Sequence, residues 1–377
     1  MQLFLHRSNP LFTPLARGLP DFPWDRIANA AELARNHPDG IIDLSIGTPV
    51  DATPKVIADA LSAAANAPGY PTAIGTPELR QAWSDWAQRA LGVSVTIEEI
   101  SPTIGSKEIV AWLPTILGLG PEHTVAIPEL AYPTYAVGAQ MAKANFVTYN
   151  NAEEIAANAA LIWVNSPANP TGEVKSVDEL KAIVNRAREI GAVVVSDECY
   201  IELGWDVTPI SILHPDVIGT SIENVLAVHS LSKRSNLAGY RSGAVMGDKK
   251  FIADIVALRK HAGMLLPSPI QSATVAALGD PSHVALQRDV YHNRRTVLAA
   301  SVLGAGMEIH HSQAGLYLWV TAGKPCLETV AMLADVGILC APGDFYGPAG
   351  ANHVRMALTA TDERIAQVAD RLAALSA

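Results

Sequence analysis

Short apolar runs rich in β-branched residues alternate with longer stretches of helical periodicity from about Ile41 to about Leu266. The runs Thr124–Ile127, Ala160–Val164, Ala192–Ser196, Val225–His229 and Gly243–Met246 predict strands. Strands of this kind, separated by helices, point to a mostly parallel central sheet sandwiched by helices, an α/β architecture. The helical stretches carry their own start signals. Thr53-Pro54 predicts a helix with threonine as N-cap and proline at the first helical position, and Thr76-Pro77 predicts the next. That second helix spaces Leu79, Trp83, Trp86 and Ala90 on one face, which reads as a core stripe. Ser176-Val177-Asp178-Glu179 is a capping box at the head of a helix to Ile190. After Leu266 the pattern changes. Helices are expected over Ser268–Leu278 and from Pro281 to about Leu303, strands over Gly315–Thr321 and His353–Leu358, and an amphipathic helix from Asp362 to Leu375. We therefore expect a large domain over residues 40–270, and a smaller α+β domain from residues 1–39 and 271–377.

Composition narrows the class. The chain has 377 residues, 49% of them hydrophobic and 17% charged, so it can bury a large core and is not disordered. A formal net charge of −10 argues against nucleic acid or an anionic membrane as a partner held by bulk charge. Cys199, Cys326 and Cys340 show no C-x-x-C spacing, so neither a disulfide framework nor a thiolate zinc site is expected, and no other metal site stands out. The start of the chain, Met1 to Arg7, lacks the pattern of a signal peptide. The longest apolar stretch, Ile109 to Gly120, contains Pro114 and is too short to span a bilayer. A cytoplasmic location is the expectation.

The densest chemistry lies between Ser230 and Gly243. A candidate strand ends in Ser230-Leu231-Ser232-Lys233, and Gly239-Tyr240-Arg241-Ser242-Gly243 follows. Hydroxyls, a guanidinium and close-approach glycines suit a bound phosphate, and a lysine set among them is a candidate Schiff-base nucleophile. Four further segments stand at strand ends or helix starts. Ala192–Ser196 runs into Asp197-Glu198-Cys199-Tyr200, where a lone aspartate could equally be a turn former. Asn165-Ser166-Pro167-Ala168-Asn169-Pro170-Thr171-Gly172 is turn chemistry in any case. Gly105-Ser106-Lys107 leads into the helix expected at Ile109–Leu117, where free backbone N–H groups face an anion. Tyr132 follows the strand Thr124–Ile127.

The order and spacing of these segments resemble the class I/II aminotransferases, fold-type I enzymes that use pyridoxal 5′-phosphate. The resemblance runs from Gly47 to Arg355. It implies that Lys233 carries the cofactor as a Schiff base and that Ser230, Ser232, Arg241 and the Gly105-Ser106-Lys107 turn hold its phosphate. Asp197 would pair with the pyridinium nitrogen, Tyr200 and Asn169 would bond the ring's phenolic oxygen, and Tyr132 would stack on the ring. On the substrate side it implies the backbone at Gly47, together with Asn169, and Arg355 as the α-carboxylate ligand. An arginine in an apolar strand also needs an anionic partner on physical grounds. Tyr70 would reach the phosphate of a neighbouring subunit, making the active unit a homodimer.

The segments Leu19–Asp25, Pro128–Tyr135 and Pro342–Gly347 look more narrowly like the actinobacterial type of N-succinyl-L,L-diaminopimelate aminotransferase, of lysine and diaminopimelate biosynthesis. The expected partners are small amino acids and 2-oxo acids, with 2-oxoglutarate as acceptor. Arg17, Arg35 and Lys260 are available cations for further carboxylates of such a substrate. Another class I aminotransferase or a fold-type I C–S lyase shares the cofactor residues. A regulator that binds pyridoxal phosphate without turnover usually carries an N-terminal DNA-binding domain, and no basic helix-turn-helix precedes Ile41. Gly118-Leu119-Gly120 lacks the third glycine of a dinucleotide fingerprint.

Overall fold

The computed structural model describes residues 15–20 and 23–375. The segment Met1 to Arg7, and Asp21 and Phe22 of the Leu19–Asp25 block, lie outside the described residues. A short strand, β1 (Ile42–Asp43), precedes the main sheet. That sheet comprises β2 (Ile100–Ile104), β3 (Thr124–Pro128), β4 (Asn145–Tyr149), β5 (Ala159–Asn165), β6 (Val193–Asp197), β7 (Val225–Ser230) and β8 (Ser242–Gly247). After it come β9 (Glu308–His310), β10 (Tyr317–Thr321), β11 (Ile338–Leu339), β12 (Ala341–Pro342) and β13 (Val354–Ala357).

The main sheet has the order β2-β8-β7-β6-β5-β3-β4. It is mostly parallel, as the pattern predicts. The exception is β8, which pairs antiparallel with both β7 and β2. Side chains alternate across the sheet with the period of two that strand geometry imposes. Ala126, Ile162, Val164, Val194, Ala227 and Met246 enter one core with the helices Lys55–Ala63, Pro77–Trp86, Val177–Ile190 and Ser268–Gly279. Val125, Leu161, Trp163, Val195, Leu226 and Val245 enter the other with Ser106–Ile116, Thr134–Met141 and Lys249–Ala262. Each fully buried Val, Ile or Leu contributes about 1.5–3 kcal/mol, so both layers are held hard against the sheet.

A four-stranded sheet, β12-β13-β10-β9, is antiparallel throughout. Its core takes in Leu318, Val320, Val354 and Met356 with helix residues such as Leu298, Val330, Leu333 and Leu372. β1 and β11 form a parallel pair. Among the described residues no helix is long and apolar enough to cross a membrane.

Three sequence expectations shift in detail. The helix expected to start at Pro54 starts at Lys55, with Pro54 itself at the N-cap position and no side-chain cap. Thr76 does cap its helix, accepting from the Leu79 N–H at 3.2 Å. The core stripe of that helix ends at Trp86, followed by Ala87 rather than Ala90, which is exposed. The reason is a single π turn over Ala87–Leu91, whose wider winding moves the phase of the buried face. Finally, the last helix is two short ones, Asp362–Ala366 and Val368–Ala373.

Candidate active site

The site forms where strand direction delivers residues to one end of the main sheet. Strands β2, β3, β5, β6 and β7 all finish at this end, and β8 begins there because it runs the other way. Crevices outside the carboxyl ends of parallel strands are the usual ligand sites of such sheets. Asn165 and Asp197 close β5 and β6 side by side, and Ser230 closes β7. Lys233 follows on the helical turn Leu231–Arg234, whose first turn is capped by the Ser230 hydroxyl accepting from the Ser232 N–H at 3.2 Å.

Around Lys233 the structure assembles a cup of hydroxyls, backbone amides and a guanidinium. Gly105 stands at the head of the Ser106–Ile116 helix with φ +70°. A side chain there is excluded twice. The left-handed backbone disfavours it, and a Cβ would run into the Arg241 guanidinium. Arg241 donates through Nη1 to the Ala238 carbonyl at 2.9 Å and through Nη2 to the Ile104 carbonyl at 3.3 Å, which aims its fork at the Gly105 turn. The Cys199 thiol donates to the Ser106 hydroxyl at 3.1 Å, and the Lys107 ammonium lies 5.9 Å from the Tyr132 ring centre. The cup therefore joins β2, β6, β7 and β8.

Asp197 is buried (6% exposed), and its recorded partners are neutral donors. Tyr135 Oη donates to Oδ2 at 3.0 Å, and the Cys199 N–H donates to Oδ1 at 3.3 Å. Burial pushes its pKa up, and the hydrogen bonds from Cys199 and Tyr135 offset only part of that. A buried carboxylate in this state gains from a cationic partner, which a protonated pyridine nitrogen provides. Together with the cup, this donor set fits a phosphorylated pyridine.

The opposite wall comes from the small sheet. Arg355, in the middle of β13, is 3% exposed. Its Nη1 donates to Asn169 Oδ1 at 2.9 Å and its Nη2 to the Ser45 carbonyl at 2.7 Å. The guanidinium lies 3.9 Å from the Tyr317 ring centre and 5.1 Å from that of Tyr346. Lys233 Nζ donates to the Gly47 carbonyl. One strap, Ser45–Gly47, thus holds both cations. Gly47 has no room for a side chain, because a Cβ would meet the Tyr317 hydroxyl.

Most of the residues singled out by sequence therefore meet: Gly47, Gly105, Ser106, Lys107, Tyr132, Asn169, Asp197, Tyr200, Ser230, Ser232, Lys233, Arg241 and Arg355. Tyr70 does not join them within this chain, and its side chain is 99% exposed. Arg35 and Lys260 are exposed near the ends of their helices. Sequence reasoning missed Tyr317, whose hydroxyl lies 3.0 Å from that of Tyr200. Burial opposes ionisation of Tyr317, but the charges of Arg355 and Lys233 outweigh it and hold its pKa below the usual value. Burial and the neighbouring Tyr317 push the Tyr200 pKa the other way, above its usual value. It also missed Tyr135 and Asn165. Asn165 Nδ2 donates to the Asp197 carbonyl at 2.8 Å and its Oδ1 accepts from the Asn169 N–H at 2.7 Å, which braces the turn. The only signal for Tyr317 was its place at the head of an apolar strand, which equally describes a core aromatic.

Comparison with known proteins adds independent support. The family model "Aminotransferase class I and II" matches residues 39–372. A Streptomyces rimosus protein, 4-dedimethylamino-4-oxo-anhydrotetracycline transaminase OxyQ, is 53% identical over 357 residues, covering 94% of this chain and 99% of its own. A Mycobacterium tuberculosis protein named "Probable aminotransferase Rv1178" is 52% identical over 360 residues, covering 95% and 86%. An LL-diaminopimelate aminotransferase of Aquifex aeolicus is 32% identical, covering 88% and 90%. Among solved structures, an aminotransferase of Neisseria meningitidis superposes with a TM-score of 0.87 at 29% identity, over 96% of this chain and 99% of that one.

Proposed function

This chain belongs to the class I and II aminotransferases and takes pyridoxal 5′-phosphate as cofactor; from that premise we propose that it moves an amino group between an amino acid and a 2-oxo acid at the site built around Lys233 and Arg355. The observation that carries this reading is the shared strap. Ser45 and Gly47 give their carbonyls to the Arg355 guanidinium and the Lys233 amine, so the anchor for a carboxylate and the amine that moves a proton are held by residues two apart in the chain.

In this reading Gly105, Ser106, Lys107, Ser230, Ser232 and Arg241 hold the phosphate. Asp197 faces the ring nitrogen, Tyr200 and Asn169 the phenolic oxygen, and Tyr132 the ring face. Bound there, the cofactor supplies an electron sink that stabilises negative charge at the substrate Cα. The residues of the chain do the rest. Arg355 takes the α-carboxylate in two parallel hydrogen bonds, and Asn169 and the Ser45 carbonyl keep its fork oriented. Lys233 acts as general base on the Cα proton once its amine is free of other bonds. The rings of Tyr317 and Tyr346 cover the guanidinium and strengthen its electrostatic grip by keeping water away. The active unit in this reading is a homodimer, with the exposed Tyr70 reaching the neighbouring phosphate group.

For the amino donor we infer N-succinyl-L,L-diaminopimelate, with 2-oxoglutarate as acceptor, in the formation of lysine and diaminopimelate. The likeness of three sequence segments and the relatives named LL-diaminopimelate aminotransferase support it. The 53% identity to OxyQ favours a second reading, in which the acceptor is the oxo group of a tetracycline-type compound. Following cofactor absorbance through each half-reaction decides between them. Conversion by succinyldiaminopimelate alone supports the first reading, and conversion of the tetracyclic pair alone selects the second. Silence towards every amino donor would sink the transamination reading itself.

A further inference from the structure

The strap is itself fastened from behind. Four residues beyond Gly47, Asp51 meets Arg294, with Nη2 to Oδ1 at 2.6 Å and Nη1 to Oδ2 at 2.8 Å. Arg294 Nε also donates to Asp362 at 2.6 Å. One helix, Ser282–Gly304, carries this arginine, and Gln287 and Tyr291 share its buried face at i, i+4, i+7 spacing. Gln287 Nε2 donates to Asp51 Oδ2 at 2.8 Å, and its Oε1 accepts from Asn236 Nδ2 at 2.8 Å. Asn236 stands three residues after Lys233 and adopts a left-handed φ of +54°. Tyr291 Oη donates to Asn236 Oδ1 at 3.3 Å.

The amide of Gln287 thus joins two loops that meet again at the reacting amine. One loop ends in the Gly47 carbonyl and the other carries Lys233, the donor to that carbonyl. Gln287 is 8% exposed, and replacing a buried hydrogen-bonded pair by apolar groups of the same shape can be nearly neutral for stability. What an amide bonded at both its nitrogen and its oxygen adds is orientation, because its donor and acceptor must each face the right loop.

We propose that Gln287 is a positioning residue for transamination: it sets the separation of the Gly47 carbonyl from the Lys233 amine by tying Asp51 to Asn236. The inference rests on Lys233 being the cofactor lysine. The test uses holoenzyme of wild type, Gln287→Met and Leu298→Ala. Methionine matches the glutamine in size and leaves Asp51 its arginine. Leu298 lies on the same helix but in apolar core, so its variant matches a loss of stability without touching the network. The primary readout is the pH titration of the bound cofactor's absorbance without substrate. For Gln287→Met the midpoint should move by about half a pH unit and KM for the amino donor should rise about fivefold, with kcat within about twofold. Leu298→Ala should lower Tm and leave the midpoint unmoved. Asn236→Gly, whose backbone suits the left-handed φ, should reproduce the Gln287→Met shift. An unmoved midpoint in both network variants, or an equal shift in Leu298→Ala, overturns the proposal. A wild-type holoenzyme in which borohydride fixes no cofactor to Lys233 overturns instead the assignment beneath the proposal.

Discussion

Asn165, Asp197, Ser230 and Lys233 leave the seven-stranded sheet at the ends of neighbouring strands, whereas Arg355 sits inside a strand of the four-stranded sheet. The first group is placed by its own strand ends and a capped turn, and is then braced by Tyr135 on Asp197 and by the Gly47 carbonyl on Lys233. Arg355 is held by the distant Ser45 and Asn169 and by the rings of Tyr317 and of the nearby Tyr346. The proposed cofactor wall is thus drawn from the ends of neighbouring strands of one sheet, and the proposed carboxylate wall from an arginine inside a strand of the other. Changes at residues that only one wall uses should therefore leave the other working, whereas Asn169 and the Ser45–Gly47 strap serve both.

The largest expected effect joins the two walls. Lys233→Ala should cost about 10⁴-fold in kcat, the upper range for a positioned general base, while circular dichroism and Tm stay near wild type. Near-normal turnover would remove the residue from the chemistry. Next comes a variant confined to the carboxylate wall. Arg355→Met should reduce kcat/KM by about 10²-fold for amino acid and 2-oxo acid alike, in keeping with about 3 kcal/mol for a buried charged hydrogen-bond partner. Cofactor affinity measured by absorbance titration should not change, and a parallel loss of cofactor would erase the contrast. On the cofactor wall, Gly105→Ala drives a Cβ into the Arg241 guanidinium on a left-handed backbone, a strain of about 1–3 kcal/mol. It should weaken cofactor binding about tenfold, with KM for substrate at saturating cofactor little altered.

The smallest effect concerns acid stability of the strap. Burial pushes the Asp51 carboxyl up, but hydrogen bonds from Arg294 and Gln287 outweigh it and hold the pKa below 3.8. A depressed folded-state pKa means stability that is present above the unfolded value and lost as pH falls through the folded one. Tm should therefore drop as pH descends below about 4, and Asp51→Asn should flatten part of that drop while costing some stability at neutral pH.

Legibility in the sequence follows local pattern, while Arg355 and Gly47 were reached through the family resemblance. Ser230–Gly243, Asp197–Tyr200 and Asn165–Gly172 could be read because strand ends, turn residues and anion ligands occupy consecutive positions. The strands β5, β6 and β7 were found within a residue or two for the same reason: continuous β-branched runs bounded by turns. The antiparallel direction of β8 was not legible, since a single strand's pattern does not record which way its neighbour runs. β2 and β4 were missed altogether. β2 contains Pro102, which weakens a strand reading, and β4 is an edge strand with four of its five residues exposed. Ala90 failed because periodicity assumes an unbroken 3.6-residue winding, and the π turn at Ala87–Leu91 resets it. Tyr317 and Gln287 work through partners more than 100 residues distant in one case and in two separate loops in the other. No local pattern reports that.

The reversal at β8 carries a consequence for how freely the chain can change length. Parallel neighbours are joined by crossovers long enough to absorb insertions, as over the Val177–Ile190 helix. Arg241 instead returns to the Lys233 end of the sheet within eight residues, because the next strand sets off in the opposite sense. Arginine and lysine are thereby yoked by a fixed stretch of backbone. An extra residue between them would push one out of register with the other, so gene variants with insertions should be tolerated around the crossovers and purged from residues 234–240.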